Sequence, residues 1–437
     1  MLLLHLSDIH FRVPQCLRPD TDPDRTFRSL MLRDIRNQVS ELGAVGAILI
    51  GGDIAYRADP QEYAAAMEWI HDLLDASGCH IERLYVIPGN HDIDRGVVTR
   101  TPAIKNAHAA IQRAAPAHRE AVLREQFEDP ETGGTLLKSL AAYNEFAKVF
   151  SCQIYSPDHL YWKQDLPLEG GIRLRLNGLT TTILSGAEGR NDERMGLYLS
   201  PLQTGLDPED DVVNLVIAHH PPDWCMDMDE IEDDLNDRAA IHLFGHKHKQ
   251  RVLLTDRHIR IGAAAVNPDR NEIGFEPGYN LINVTVVGAG LTRTLSIEAH
   301  LRHLQRNPEQ YRSRLNGGDE IYRKSIPIPD RNAIAVNISS REVILEKILS
   351  EEILPEADLV VIDPEAAMSD EATRNLVFRF WQLRISERRE IALELGLIEA
   401  EEMALPEPER YGRALLRAGE RDLIKELAAE VAKRETK

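Results

Sequence analysis

Cysteine is scarce in this 437-residue chain, and the four that occur, Cys16, Cys79, Cys152 and Cys225, are scattered with no Cys-x-x-Cys spacing. That excludes a thiolate zinc site and a disulfide framework, and leaves reduced, mostly buried thiols. Long apolar runs are missing too. Nothing approaches the roughly 20 apolar residues of a membrane span, and Leu2-Leu3-Leu4 is broken by His5 and Asp8, far short of a signal peptide's core. A cytoplasmic protein is expected. Positive charge is in deficit: Lys and Arg total 51 against 71 Asp and Glu, a formal net charge of -20. This disfavours sequence-independent attraction to nucleic acid or an anionic membrane, although a local basic groove can survive within an acidic whole. Internal repeats and low-complexity tracts are absent as well. What remains, 43% hydrophobic and 28% charged residues over this length, is an ordinary globular composition with room for two or three domains.

Several apolar, β-branched runs stop at polar clusters, the pattern of buried strands that deliver side chains to the carboxyl edge of a sheet. The run 83–87 ends at Pro88-Gly89-Asn90-His91-Asp92, residues 1–6 end at Ser7-Asp8-Ile9-His10, and 45–50 end at Gly51-Gly52-Asp53. Further on, 212–218 end at His219-His220-Pro221-Pro222, and 241–244 at Gly245-His246-Lys247-His248. A spacing of two aims Asp8 with His10, and His246 with His248, to one side of the backbone. Helical spacing over 26–42 and 62–74 alternates with the first three strands, which points to a layered α/β domain. His5, His242 and His258 fall inside strand patterns and read as ordinary core or surface histidines. The acidic run 227–237 reads as a solvated helix or loop.

Residues from about 97 to 162 break this rhythm with helical, Ala-, Arg- and Glu-rich sequence, an insertion that serves either as a substrate-selecting lid or as packing. Closing strands are expected up to about residue 305. Residues 306–340 contain Asn-Pro, Gly-Gly and Ile-Pro-Ile-Pro and read as a linker. The stretch 341–437 is a mainly helical domain by pattern, apart from a short apolar run at 359–362, and the helix through 391–395 should close on a glycine C-cap at Gly396.

Taken together, Asp8, His10, Asp53, Asn90, His219, His246 and His248 are oxygen and imidazole ligands, each following a strand. Seven exceed the needs of one ion and suit two divalent ions sharing a bridging carboxylate, with Asp53 the natural bridge. Two such ions, about 3.5–4 Å apart, lower the pKa of a bridging water from 15.7 toward ~7 and clamp phosphoryl oxygens, which is the chemistry of phosphoester hydrolysis. The ligand set accepts manganese, iron or zinc according to supply, and manganese is the expected ion.

Asp8-x-His10, Gly52-Asp53, Gly89-Asn90-His91-Asp92, His219 and Gly245-His246-x-His248 resemble, in order, the motifs of the calcineurin-like metallophosphoesterases. The resemblance spans about residues 1–300. It implies a four-layer α/β/β/α sandwich with the helical insertion, followed by a separate helical C-terminal domain. It implies that Asp8, His10, Asp53 and His248 hold one ion, and Asp53, Asn90, His219 and His246 the other, with His220 the alternate to His219. His91 is then the acid at the leaving oxygen, and Asp92 the carboxylate that orients His91. Arg12, Arg57, Arg95 and Lys247 flank these motifs and are candidates to neutralise a phosphate.

Gly52-Asp53-Ile54-Ala55 followed by Glu62-Tyr63, and His219-His220-Pro221-Pro222, look most like the cyclic-nucleotide phosphodiesterase branch. A phosphodiesterase acting on nucleotides or short nucleic acids is therefore the first expectation, and a DNA nuclease similar to the break-repair nucleases the alternative. Phe380-Trp381-Gln382-Leu383, the 391–397 segment and Glu407-Pro408-Glu409-Arg410-Tyr411 resemble helical adaptor domains of bacterial conflict-system effectors. That resemblance implies a protein partner or self-association through 341–437, and an effector enzyme in phage defence.

Overall fold

The computed structural model describes residues 1–155, 159–268, 276–328, 370–399, 402–403, 405 and 407–435. They fall into two compact units, one before residue 330 and one from there on. The strands of the first unit are β1 (Leu2–Leu6), β2 (Val45–Ile50), β3 (Leu84–Val86), β4 (Trp162–Pro167), β5 (Arg173–Leu179), β6 (Val212–Ala218), β7 (Ile241–Phe244), β8 (Arg251–Leu254), β9 (Ile259–Gly262), β10 (Gly278–Val287), β11 (Thr294–Gln305), β12 (Gln310–Ser313) and β13 (Tyr322–Pro327). One sheet has the order β12-β11-β10-β1-β2-β3, with β13 also on β11, and the other the order β4-β5-β6-β7-β9-β8. Within them β1-β2-β3 and β5-β6-β7 run parallel. The strands that precede the polar clusters therefore send their carboxyl ends the same way within each sheet.

Apolar side chains of both sheets, Leu4, Ile48 and Val86 from the first and Leu174, Leu215, Leu243 and Ile261 from the second, belong to one buried core. Helices α1 (Arg25–Leu42) and α2 (Pro60–Ser77) serve the first sheet. Asp34 of α1 takes a bidentate pair of hydrogen bonds from Arg302 of β11, at 2.7 and 2.9 Å, and Phe11 packs on Trp69 of α2. The start of α2 is written in its sequence: Asp59 caps it, Pro60 fixes its first turn, and Glu62 completes a capping box.

The insertion consists of α3 (Arg95–Arg100), α4 (Pro102–Arg113), α5 (Pro116–Glu128), α6 (Pro130–Leu136) and α7 (Ala141–Ala147), and Trp162 already belongs to β4. Its side chains Ile104, Ile111, Leu123, Phe127, Tyr143 and Phe146 are buried in the same core as the sheets. The buried Tyr143 hydroxyl donates to the carbonyls of Val86 and Cys152, at 3.1 and 3.2 Å. The insertion is thus integral packing and not an appendage. Short helix α8 (Pro201–Thr204) and α9 (Met228–Arg238) complete the unit, α9 being the expected acidic run. It lies on the second sheet, where His242 Nε2 sits 3.0 Å from the carbonyls of Leu235 and Ala239.

The linker expected from residue 306 does not begin there. β12 and β13 both pair antiparallel with β11, so the sheet runs on to Pro327. The Asn-Pro and Gly-Gly pairs mark turns between short strands, with Gly317 and Gly318 at positive φ. The remainder of that linker, and the run at 359–362, lie outside the described residues.

The second unit contains α10 (Asp370–Gln382), α11 (Ile385–Glu394), α12 (Glu407–Glu420) and α13 (Ile424–Glu435). Its own core is built on Leu376, Phe380, Ile391, Tyr411, Ala418, Leu427 and Val431. Helix α11 closes as expected: Gly396 has φ 61, its N–H reaches the Leu393 carbonyl, and the Leu397 N–H reaches that of Ala392. Among the described residues, no helix is long and apolar enough to cross a membrane.

Candidate metal centre

The loops that follow β1 and β2 are laced together by their backbones. The Asp8 N–H donates to the Gly52 carbonyl and the His10 N–H to that of Asp53, both at 3.0 Å, which sets Asp8, His10 and Asp53 abreast. Asn90 and His91 follow β3 on the same sheet, while His219 follows β6 and His246 and His248 follow β7 on the other. Two glycines permit the close approach. A Cβ on Gly89 would sit 2.2 Å from Asp53 Oδ1, and one on Gly52, where φ is 91, would sit 2.8 Å from His219 Nδ1. Five of the seven expected ligands have left-handed backbone: Asp8, His10, Asp53, His246 and His248, with φ of 57, 53, 53, 64 and 51. Each such residue costs roughly 1–3 kcal/mol, and their gathering at one point marks a functional site.

The side chains form two groups that meet at Asp53. In one, His248 Nε2 lies 3.1 Å from Asp8 Oδ1, and His10 Nε2 lies 3.8 Å from Asp53 Oδ2 and 4.0 Å from Asp8 Oδ1. In the other, Asn90 Oδ1 lies 3.1 Å from His219 Nε2 and 2.9 Å from His246 Nδ1, and His219 Nε2 lies 3.3 Å from Asp53 Oδ2. His219 Nδ1 is 2.7 Å from the Gly51 carbonyl, which turns Nε2 toward Asp53. The neighbouring His220 has Nδ1 2.8 Å from Thr181 Oγ1 and Nε2 3.5 Å from Asp192 Oδ2, and a ring nitrogen within 4.8 Å of ligand atoms of His219 and His246.

Charge is concentrated here. Asp8 and Asp53 are both buried. Burial works against their ionised forms, yet nearby imidazoles, His248 for Asp8 and His219 for Asp53, hold both carboxyls well below the usual range. Burial pushes His10 down to about 3 and His246 to about 2, so both present neutral, ligand-ready nitrogens. Burial would also lower His219, but Asp53 overrides it and raises that imidazole to about 9. Paired buried carboxylates ringed by imidazoles fit a site for divalent cations. Four sets of candidate ligand atoms converge within 4.8 Å, among them Asp8, His10 and His248, and Asp8, Asp53 and His219.

Residues 1–250 match the family model of the calcineurin-like phosphoesterases. The chain belongs to that family. This phosphoesterase is accordingly a metal-dependent hydrolase, and the clusters around Asp53 are candidate ligands for the family's dinuclear divalent centre. Residues 372–433 match the GTPase-associated adaptor domain. Solved structures similar to the phosphoesterase include Vps29 of Chaetomium thermophilum (11% identity, 75% of this chain and 99% of that one, TM-score 0.28). Others are GAP50 of Plasmodium (11%, 84% and 99%, TM-score 0.37) and the sulfate thiohydrolase SoxB of Thermus thermophilus (11%, 79% and 61%, TM-score 0.33). No curated protein sequence matches the chain.

One expectation for the phosphoesterase site needs correction. Asp92 does not orient the His91 ring, whose Nδ1 lies 2.9 Å from the Tyr56 carbonyl. The buried Asp92 carboxylate instead accepts from the N–H groups of Ile54 (3.2 Å), Ala55 (3.0 Å) and Gly89 (2.9 Å) and from the Tyr63 hydroxyl (2.8 Å). It ties the β2 loop to the β3 loop. Burial, with Asp53 nearby, raises its pKa to about 6.

Tyr56 is the residue that sequence reasoning missed. Its ring stacks on His91 with centroids 4.9 Å apart, and the Arg12 guanidinium lies 4.0 Å from its centroid. Only its place three residues past the Gly-Asp motif hints at this. Glu62 shapes the same loop by accepting from the N–H groups of Val13, Tyr56 and Arg57. Of the other flanking cations, Lys247 is paired with Asp223 at 2.7 Å, whereas Arg57 and Arg95 border a cavity of about 450 Å³ beside His91.

Proposed function

We propose that the protein is a two-metal phosphodiesterase acting on nucleotides or short nucleic acids. The observation that carries this reading is the sharing of Asp53 Oδ2 between His10, at 3.8 Å, and His219, at 3.3 Å. On this reading Asp8, His10, Asp53 and His248 hold one ion, and Asp53, Asn90, His219 and His246 the other. When bound, the ions supply an acidified water as nucleophile and neutralise phosphoryl oxygens, and manganese suits this ligand set. His91, its Nδ1–H directed at the Tyr56 carbonyl, keeps Nε2 for the leaving oxygen and, in its imidazolium form, would deliver the Nε2 proton there. Asp92 acts by fixing the loops that carry Asp53 and Asn90. A diester is favoured over a monoester because the cavity beside His91 gives room for a second ester arm.

The test is hydrolysis of bis(p-nitrophenyl) phosphate against p-nitrophenyl phosphate with manganese supplied. The diester is expected to be preferred, and Asp53→Ala to reduce turnover at least ~100-fold. A clear monoester preference refutes the diester reading, and full activity in Asp53→Ala refutes the shared-carboxylate mechanism.

The adaptor-domain match supports a second element of the proposal, that residues 370–435 recruit a protein partner and make the enzyme a cytoplasmic effector of a bacterial conflict system. Recovery of a specific partner on the full chain, lost when the tail is removed, is the expected outcome.

A further inference from the structure

We infer that the cavity beside His91 is a leaving-group subsite that binds a second phosphate through Arg57 and Arg95, so that the substrate is a linear nucleotide diester carrying a further phosphate beyond the scissile one. This rests on the phosphodiesterase reading and narrows its substrate class.

Position is the first argument. The cavity holds about 450 Å³ and is lined by Tyr56, Arg57, His91, Asp94 and Arg95 among others. His91 is its inner wall and also belongs to a convergent cluster with His10 and Asp53. Hydrolysis joins the oxygen of water to phosphorus, breaks the bond to the ester oxygen beside His91, and returns a proton to that oxygen. Whatever the ester oxygen carries must therefore extend into this cavity.

Charge is the second. In a chain of net charge -20, two guanidinium groups border this cavity, and among the described residues no carboxylate pairs with either. The carboxylate that could have neutralised Arg57, Glu62, is spent on backbone N–H groups at 2.8–3.1 Å. Asp94, the acidic group in the lining, accepts from the Val97 N–H at 3.0 Å. Arg95 lines the cavity and is braced by Asn191 at 2.8 Å through Nη1. A guanidinium that lines the cavity, is held in place by an amide and has no carboxylate on it is preorganised to attract a phosphate.

Recognition of a base by stacking is not what this cavity offers. Tyr56, the aromatic ring lining it other than His91, is already engaged by His91 at 4.9 Å and Arg12 at 4.0 Å. Its donors select anionic charge. A cyclic nucleotide has one phosphate, which the metal centre takes, and leaves both arginines unused.

The test uses the full-length, manganese-reconstituted protein with the dinucleotides TpT, pTpT and TpTp and with bis(p-nitrophenyl) phosphate. At least one terminally phosphorylated dinucleotide is expected to exceed TpT in kcat/KM by about tenfold. Arg57→Gln is expected to remove most of that gain while affecting TpT and the nitrophenyl ester much less, and Arg57→Lys to restore part of it. Arg95→Gln, checked for an unchanged melting temperature, should behave likewise. Equal kcat/KM for the three dinucleotides, or a gain that survives both substitutions, overturns the subsite and leaves the diesterase reading standing. Absence of hydrolysis with all four substrates overturns both.

Discussion

At the scale of single residues, the centre depends on atoms that are missing as much as on those that are present. Gly89 has no Cβ because Asp53 Oδ1 occupies its place, 2.2 Å away. Gly89→Ala is expected to push Asp53 aside by about an ångström and lower diester turnover roughly 100-fold or more. The same variant should lose bound metal while its far-ultraviolet circular dichroism stays intact. The seven candidate ligands could be picked out because each stands just past an apolar run, where strand ends converge. The job of Asp92 was not legible, because its partners Ile54, Ala55 and Tyr63 come from elsewhere in the chain and are joined to it only by folding. Tyr56 escaped for a related reason: its carbonyl, which any residue has, is what meets His91.

At the scale of elements, the insertion is built into the packing of its unit. Glu120 of α5 accepts from the hydroxyls of Tyr198 and Ser200, both at 3.0 Å, and Arg119 pairs with Asp227. Together with its share of the core, these contacts bind it to the 196–227 region. Excision of residues 101–150 with a short flexible replacement is therefore expected to abolish soluble expression, because each exposed core side chain forfeits about 1.5–3 kcal/mol. A soluble, cooperatively melting product would show that the insertion is dispensable. Helical periodicity revealed these elements, but sequence alone could not tell a lid from packing. β12 and β13 were misread for the opposite reason. They are short edge strands whose flanking Asn-Pro and Gly-Gly pairs have the composition of a linker.

At the scale of the molecule, each of the two units has its own core, that of the second built around Phe380 and Tyr411. A fragment from residue 370 to the end is expected to fold alone, with helical circular dichroism and a cooperative melt. Its acid sensitivity has a named source. Hydrogen bonds from Arg417 hold Glu402 at about 2, below its ordinary 4.5. A folded pKa below the unfolded one contributes stability that is complete above about pH 4.5 and fades as pH falls toward 2. The fragment's melting temperature should drop across that window, and Glu402→Gln should flatten part of the drop.

The strand ends that supply the centre come from two different sheets, Asp8, Asp53 and Asn90 from one and His219, His246 and His248 from the other. Bound ions would therefore clasp the seam of the sandwich as well as perform its chemistry. Any core substitution that slides one sheet against the other should then register first as weakened metal retention, long before the chain unfolds. Conversely, metal retention is a sensitive gauge of how well the two halves are seated.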